Sequence, residues 1–183
     1  MQTSRWHSNF ARREHRWVFA TNHFCSHHPS RRYFAIVSRL GDGIFWYVLL
    51  AALFAYGGQK GMQAAIHMAC LGVISLLLYK GLKGWTKRSR PCAKDRRIQA
   101  WVAPLDQFSF PSGHTLHAVC FTIVACAYFP ALAVLLVPFS VSVAASRVFL
   151  GLHYPSDVLA ATVIGTTLAS VSLWLVPGAS LFQ

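Results

Sequence analysis

The chain has 183 residues, 55% of them hydrophobic and 12% charged. An ordinary soluble domain carries about twice that share of charge, so this composition excludes one. Lys and Arg number 17 against 5 Asp and Glu, a net charge of +12; in so apolar a chain this points to anionic membrane surfaces and anionic ligands rather than to nucleic acid.

Residues 1–33, beginning MQTSRWHSNFARREHRW, are basic and aromatic. They hold no apolar run of the length a cleavable leader needs. They are expected as a tail, flexible or lying on the membrane surface. Residues 34–183 are expected to form one membrane domain. Five apolar runs approach the ~20 residues that a helix needs to cross a bilayer. They are Leu40–Gly57, Met62–Tyr79, Ser112–Tyr128, Ala131–Leu150 and Pro155–Val176. The fold class that follows is an all-α, polytopic membrane helical bundle with about five transmembrane helices. A sixth crossing from Trp17–Phe34 is opposed by Arg31 and Arg32. The cysteines form no CxxC pair; Cys70, Cys120 and Cys126 read as small buried apolar residues. His23, Cys25, His27 and His28 match no dependable zinc spacing.

Three polar constellations interrupt the apolar pattern, all at span ends. Lys83 and Arg90-Pro91 lie after the second run, in a loop where eight basic residues fall between Lys80 and Arg97. Pro111-Ser112-Gly113-His114 opens the third run. Ser146-Arg147, His153 and Asp157 lie between the fourth and fifth. Counting crossings puts all three on one face of the membrane. Together they have the parts of a phosphoryl-transfer site: cations, an in-line nucleophile and an acid for the departing oxygen. Lys83, Arg90 and Arg147 supply positive charge, and the arginine fork matches phosphate oxygens. Ser112 and Gly113 start a helix, where free backbone N–H groups favour an anion and glycine permits close approach. Asp157, four residues after His153, is placed to hold one imidazole nitrogen as N–H and leave the other free to attack. His153 is therefore the expected nucleophile. His114 is the expected acid for the leaving oxygen, and then the base for water. His117, one turn from His114, is equally well read as a packing residue, and His67, in mid-span, is read as packing or as an interhelical hydrogen bond in preference to catalysis.

The eleven residues of Lys83-x6-Arg90-Pro91, Pro111-Ser112-Gly113-His114 and Ser146-Arg147-x5-His153-x3-Asp157 resemble, without a substitution, the three-part signature of the type 2 phosphatidic acid phosphatase superfamily. The resemblance covers roughly residues 40–176. It implies a helical fold with the site at the membrane surface, a phosphohistidine intermediate, and hydrolysis of lipid phosphates or diphosphates without metal or other cofactor. The substrate class is open among phosphatidic acid, phosphatidylglycerol phosphate, undecaprenyl diphosphate and lipid A phosphates. The expected setting is the cell's inner (plasma) membrane, as a multi-pass protein whose partner is its lipid substrate. The scarcity of acids agrees with a metal-free site: Glu14, Asp42, Asp95, Asp106 and Asp157 are all there are, and Glu14 and Asp42 lie far from the motifs in sequence. Asp106 is expected either to contact substrate or to close a loop. Trp85, Trp101, Phe108 and Phe110 flank the site as an aromatic belt or a chain guide. The positive-inside rule puts the basic face in the cytoplasm, whereas the family's bacterial members carry the site on the periplasmic side. The rival classes are a transporter, which places polar groups near the bilayer midplane, and a non-catalytic binder of anionic lipid.

Overall fold

The computed structural model describes residues 2–176, with no side-chain description before Asn9. Every regular element is helical among these residues. They run α1 (Gln2–Phe24), α2 (His28–Arg39), α3 (Phe45–Tyr56), α4 (Gly58–Thr86), the short α5 (Pro91–Lys94), α6 (Gly113–Tyr128), α7 (Ala133–Phe149) and α8 (Pro155–Leu175). By length and composition, four helical runs can cross a membrane: His28–Tyr56, Gly58–Thr86, Pro130–Phe149 and Pro155–Leu175. The expected third span is a 16-residue apolar helix, α6. At 1.5 Å per residue it rises about 24 Å, less than the ~30 Å hydrocarbon core, so at least one of its ends lies within that thickness.

α6 is the centre of the bundle, packed by α4, α7 and α8. Its Leu116, Ala118, Cys120, Val124 and Ala125 are fully buried. Several polar side chains within the spans bond between helices, as a medium without water favours. Thr122 and Ser140 share a 2.6 Å hydrogen bond, and Ser140 donates to the Ala118 carbonyl at 3.2 Å. His67 lies 3.3 Å from the Tyr128 hydroxyl. α3 and α4 form a tight hairpin through Gly57-Gly58. A Cβ on Gly61 would stand 2.2 Å from the Leu53 carbonyl oxygen, so only glycine lets the two backbones approach this closely.

The N-terminal third has two features that its composition does not announce. The first apolar run is preceded by helix α2, and LGDGI (Leu40–Ile44) is a kink between α2 and α3 within the helical stretch His28–Tyr56. Gly43 takes φ 139°, a conformation closed to other residues. The residues before α2 are not an irregular tail. α1 is a helix docked on the loops at one end of the bundle. Val18 is buried with Ile98 and Tyr154. Asn22 donates to the Gln99 and Phe149 carbonyls at 2.9 and 3.1 Å and accepts from the Gln99 N–H. Arg31, read from sequence as an obstacle to crossing, lies over the Trp101 ring at 4.9 Å.

Candidate active site

The loop after α4 doubles back on itself. Lys87 ends α4 in the left-handed conformation, Ser89 pairs with Phe108 as an isolated bridge, and Ser109 N–H donates to the Arg88 carbonyl at 2.8 Å. This fold carries Lys83, Arg90 and Asp106 to one point. The N-terminus of α6 brings His114 there, and the end of α7 with the turn before α8 brings Arg147 and His153. All six line one cavity of about 1090 Å³, together with Gly113, Asp42 and His117. Lys83, Arg90, Arg147 and His153 are almost wholly buried.

The remaining expected site residues support the cavity from behind. Ser112 caps α6: its Oγ lies 2.9 Å from Thr115 Oγ1 and accepts from the Thr115 N–H. Its Oγ is thereby held against the first turn of α6. Ser146 Oγ donates to the Val143 carbonyl at 2.6 Å within α7. Asp157, fully buried, accepts from the Tyr154 N–H at 2.8 Å and from Arg88 at 2.6 Å. His153 Nδ1 stands 3.6 Å from Asp157 Oδ2, close enough for charge to be felt and slightly too long for a hydrogen bond. That Nδ1 has no other partner. The other ring nitrogen, Nε2, faces the cavity and accepts from Arg90 at 3.0 Å. Burial, and then the positive charge of Arg147, Arg90, Lys83 and His114, hold the His153 ring well below its ordinary pKa of 6.5. The imidazole is therefore neutral at physiological pH, as a nitrogen nucleophile must be.

Two carboxylates complete the site: Asp106, which the sequence offered as a substrate contact or a loop closure, and Asp42, which sequence reasoning missed. Asp106 sits between the cations: Lys83 Nζ donates to its two oxygens at 2.7 and 2.6 Å, and Arg90 donates to Oδ1 at 2.7 Å. Burial works to raise its carboxyl, but the hydrogen bonds and charges of Lys83 and Arg90 outweigh burial and hold it below the usual carboxylate range. With Phe108 O at 3.2 Å taking a further hydrogen bond, Lys83 has every donor engaged. Lys83 and Arg90, two of the three cations expected to hold an anion, are thus engaged by Asp106. Asp42 accepts a hydrogen bond from His114 Nε2. It was dismissed as remote, yet the kink between α2 and α3 places it at the N-terminal end of α6. Its only sequence signal was two glycines flanking an acid at the head of an apolar run. His117 lies 3.3 Å from the Gly72 carbonyl and stacks on Phe121, in keeping with a packing role. Among the described residues no three His, Cys, Asp or Glu converge to hold a metal ion.

The sequence model described as the PAP2 superfamily matches residues 62–180, well over half of the chain. The chain belongs to the PAP2 superfamily. Phosphatidylglycerophosphatase B of Bacillus subtilis (strain 168) is 35% identical over 72% of this chain and 68% of its own length. The protein of the same name in Escherichia coli (strain K12) is 39% identical over 37% of this chain, and the match spans only 29% of that relative's length. Among solved structures, the transmembrane PAP2 type phosphatidylglycerolphosphate phosphatase from Bacillus subtilis superposes with a TM-score of 0.68 at 25% identity, covering 86% of this chain and 83% of that one. LpxE of Aquifex aeolicus shares the fold, with a TM-score of 0.71 at 24% identity over 81% and 87% of the two chains. This PAP2 protein is thus an all-helical membrane protein, and its three signature segments meet at one cavity.

Proposed function

We propose that this protein is an integral-membrane phosphatase that hydrolyses lipid phosphate esters through a phosphohistidine. The observation that carries the reading is the shape of the cavity. Its charged end holds Lys83, Arg90, His114, Arg147 and His153, and it continues without interruption into an apolar groove between α3 and α4, lined by Trp46, Leu50, Phe54, Ala69, Val73 and Leu76. A phosphate at one end and a hydrocarbon chain along the other is the outline of a lipid phosphate. At about 1090 Å³ the space suits a ligand larger than a free sugar phosphate.

In this mechanism the phosphate displaces Asp106 and takes the hydrogen bonds of Lys83 and Arg90. His153 Nε2 attacks phosphorus, and the bond from phosphorus to the lipid oxygen breaks. His114, oriented by Asp42, gives that oxygen a proton. In the second step His114 takes a proton from water, which attacks the phosphohistidine; the phosphorus–nitrogen bond breaks and inorganic phosphate leaves. The cations stabilise the charge on the equatorial oxygens throughout, which is where most of the catalysis of phosphoryl transfer resides.

The names of the curated relatives favour a diacyl glycerophosphate headgroup, phosphatidylglycerol phosphate before the others, and the setting that follows is the inner (plasma) membrane. The test is phosphate release in detergent micelles with EDTA present, from phosphatidylglycerol phosphate, phosphatidic acid and a polyprenyl diphosphate. Release from at least one substrate is expected, together with its loss by about 10⁴-fold in His153→Ala. Strict dependence on a divalent ion, or a His153→Ala variant as active as the native protein, would sink the mechanism.

A further inference from the structure

Glu14 belongs to α1, outside the residues that match the PAP2 superfamily, yet it is 6% exposed and faces the rear of the site. Its Oε2 accepts from Arg88 at 2.9 Å, and its Oε1 accepts from the Ser156 N–H at 2.9 Å, at the start of α8. The other arm of the Arg88 guanidinium donates to Asp157 at 2.6 Å and to Ser156 Oγ at 2.7 Å. The Arg88 group also lies 4.2 Å over the Tyr154 ring. Glu14, Arg88, Asp157 and His153 therefore form a line running from the first helix to the candidate nucleophile.

The charge along that line decides what it can do. Asp157 with Arg88 alone is a neutral pair, and a neutral pair gives little support to positive charge on the imidazole. Attack on phosphorus places positive charge on the His153 ring, and the groups in front of it, Lys83, Arg90 and Arg147, are all cations. His114 adds to this when protonated, while Asp106 is displaced by the phosphate. A second carboxylate behind Arg88 leaves the rear assembly with one net negative charge. In so buried a site, one unit of charge is weakly screened.

Resting on the phosphatase reading above, we propose that Glu14 is a positioning residue: it neutralises Arg88 so that the Asp157 carboxylate retains its negative charge toward His153. The N-terminal helix is on this reading a working part of the site. A half-buried Arg88 ion-paired only to Asp157 would draw that carboxylate away from the ring; shared between two acids, it does not.

A charge cycle tests the proposal. Glu14→Gln keeps an oxygen for the Ser156 N–H and removes the charge; kcat is expected to fall about tenfold with KM unchanged within about twofold. The double variant Glu14→Gln/Arg88→Gln leaves Asp157 as the only charge in the assembly, again one net negative, and is expected to recover to within about threefold of the native kcat. A purely structural Glu14–Arg88 pair predicts the reverse, the double variant being no better than Glu14→Gln. A Glu14→Gln variant of native activity would also overturn the proposal. The same order is read without turnover from NMR titration of the His153 ring, which faces Arg90, Arg147, Lys83, His114 and Asp157. Glu14→Gln should move its titration to lower pH, and the double variant should move it back; no movement in either overturns the proposal. Native protein that releases no phosphate from any lipid would remove the phosphatase reading and leave the titration to judge the charge assembly.

Discussion

The two ends of the central cavity are built on opposite principles. The charged end depends on single groups: one nitrogen of His153, one fork of Arg90, one turn that delivers Asp42. Each has named partners, and His153 and Arg90 are nearly wholly buried, so loss of one leaves another unpaired in a low-dielectric place. The apolar groove between α3 and α4 works by summed contact. Trp46, Leu50, Phe54, Val73 and Leu76 each add a share of surface, and no one of them is indispensable. Substitutions should therefore act steeply and specifically at the charged end, and gradually in the groove.

The largest effect that sharpens this contrast is at Asp42. Asp42→Asn should lower kcat for a lipid phosphate by about 10²-fold, the scale of a disturbed general acid. With p-nitrophenyl phosphate, whose leaving group needs no proton, the first-turnover release of p-nitrophenolate should slow only a fewfold, since His114 is needed there only for the later attack of water. Equal losses on the two substrates would mean that Asp42 serves the fold and not proton transfer.

An intermediate effect, of opposite sign, is expected at Asp106. Removing its charge vacates the seat between Lys83 and Arg90, so Asp106→Asn should bind inorganic vanadate about tenfold more tightly by calorimetry. Weaker binding would show that Asp106 aligns the two cations and does not compete for them.

The smallest effect belongs to the groove. Ala69→Trp places a large ring where an acyl chain would lie. KM should rise several-fold for a long-chain lipid phosphate and remain unchanged for a short-chain water-soluble one. A steep loss on both substrates would erase the distinction between the two ends.

Much of the membrane architecture could be read from the linear pattern, because apolar length is a local property. The runs at Met62–Tyr79, Ala131–Leu150 and Pro155–Val176 lie within or close to the helical spans Gly58–Thr86, Pro130–Phe149 and Pro155–Leu175. The run at Leu40 misled in one respect: Gly-Asp-Gly marks a kink at Gly43, and helix already precedes it in α2, which no single-residue propensity reports. α1 misled for a related reason. Its polar face pairs with loop residues about 75 to 140 positions away, such as Arg88 and Ser156, and a helix held by such partners has no apolar periodicity to announce it.

The residue types of the cradle, their spacing and their common face were written in the chain itself: Lys83, Arg90, His114, Arg147, His153 and Asp157 belong to signatures that survive reading in one dimension. Which acids stand among them was decided only in three dimensions. Asp42 on His114, Asp106 across Lys83 and Arg90, and Glu14 behind Arg88 each join segments that only packing brings together. The reason is electrostatic: buried cations require counter-charges, and the chain draws them from whichever segments the bundle places within about 3 Å, whatever their distance in sequence.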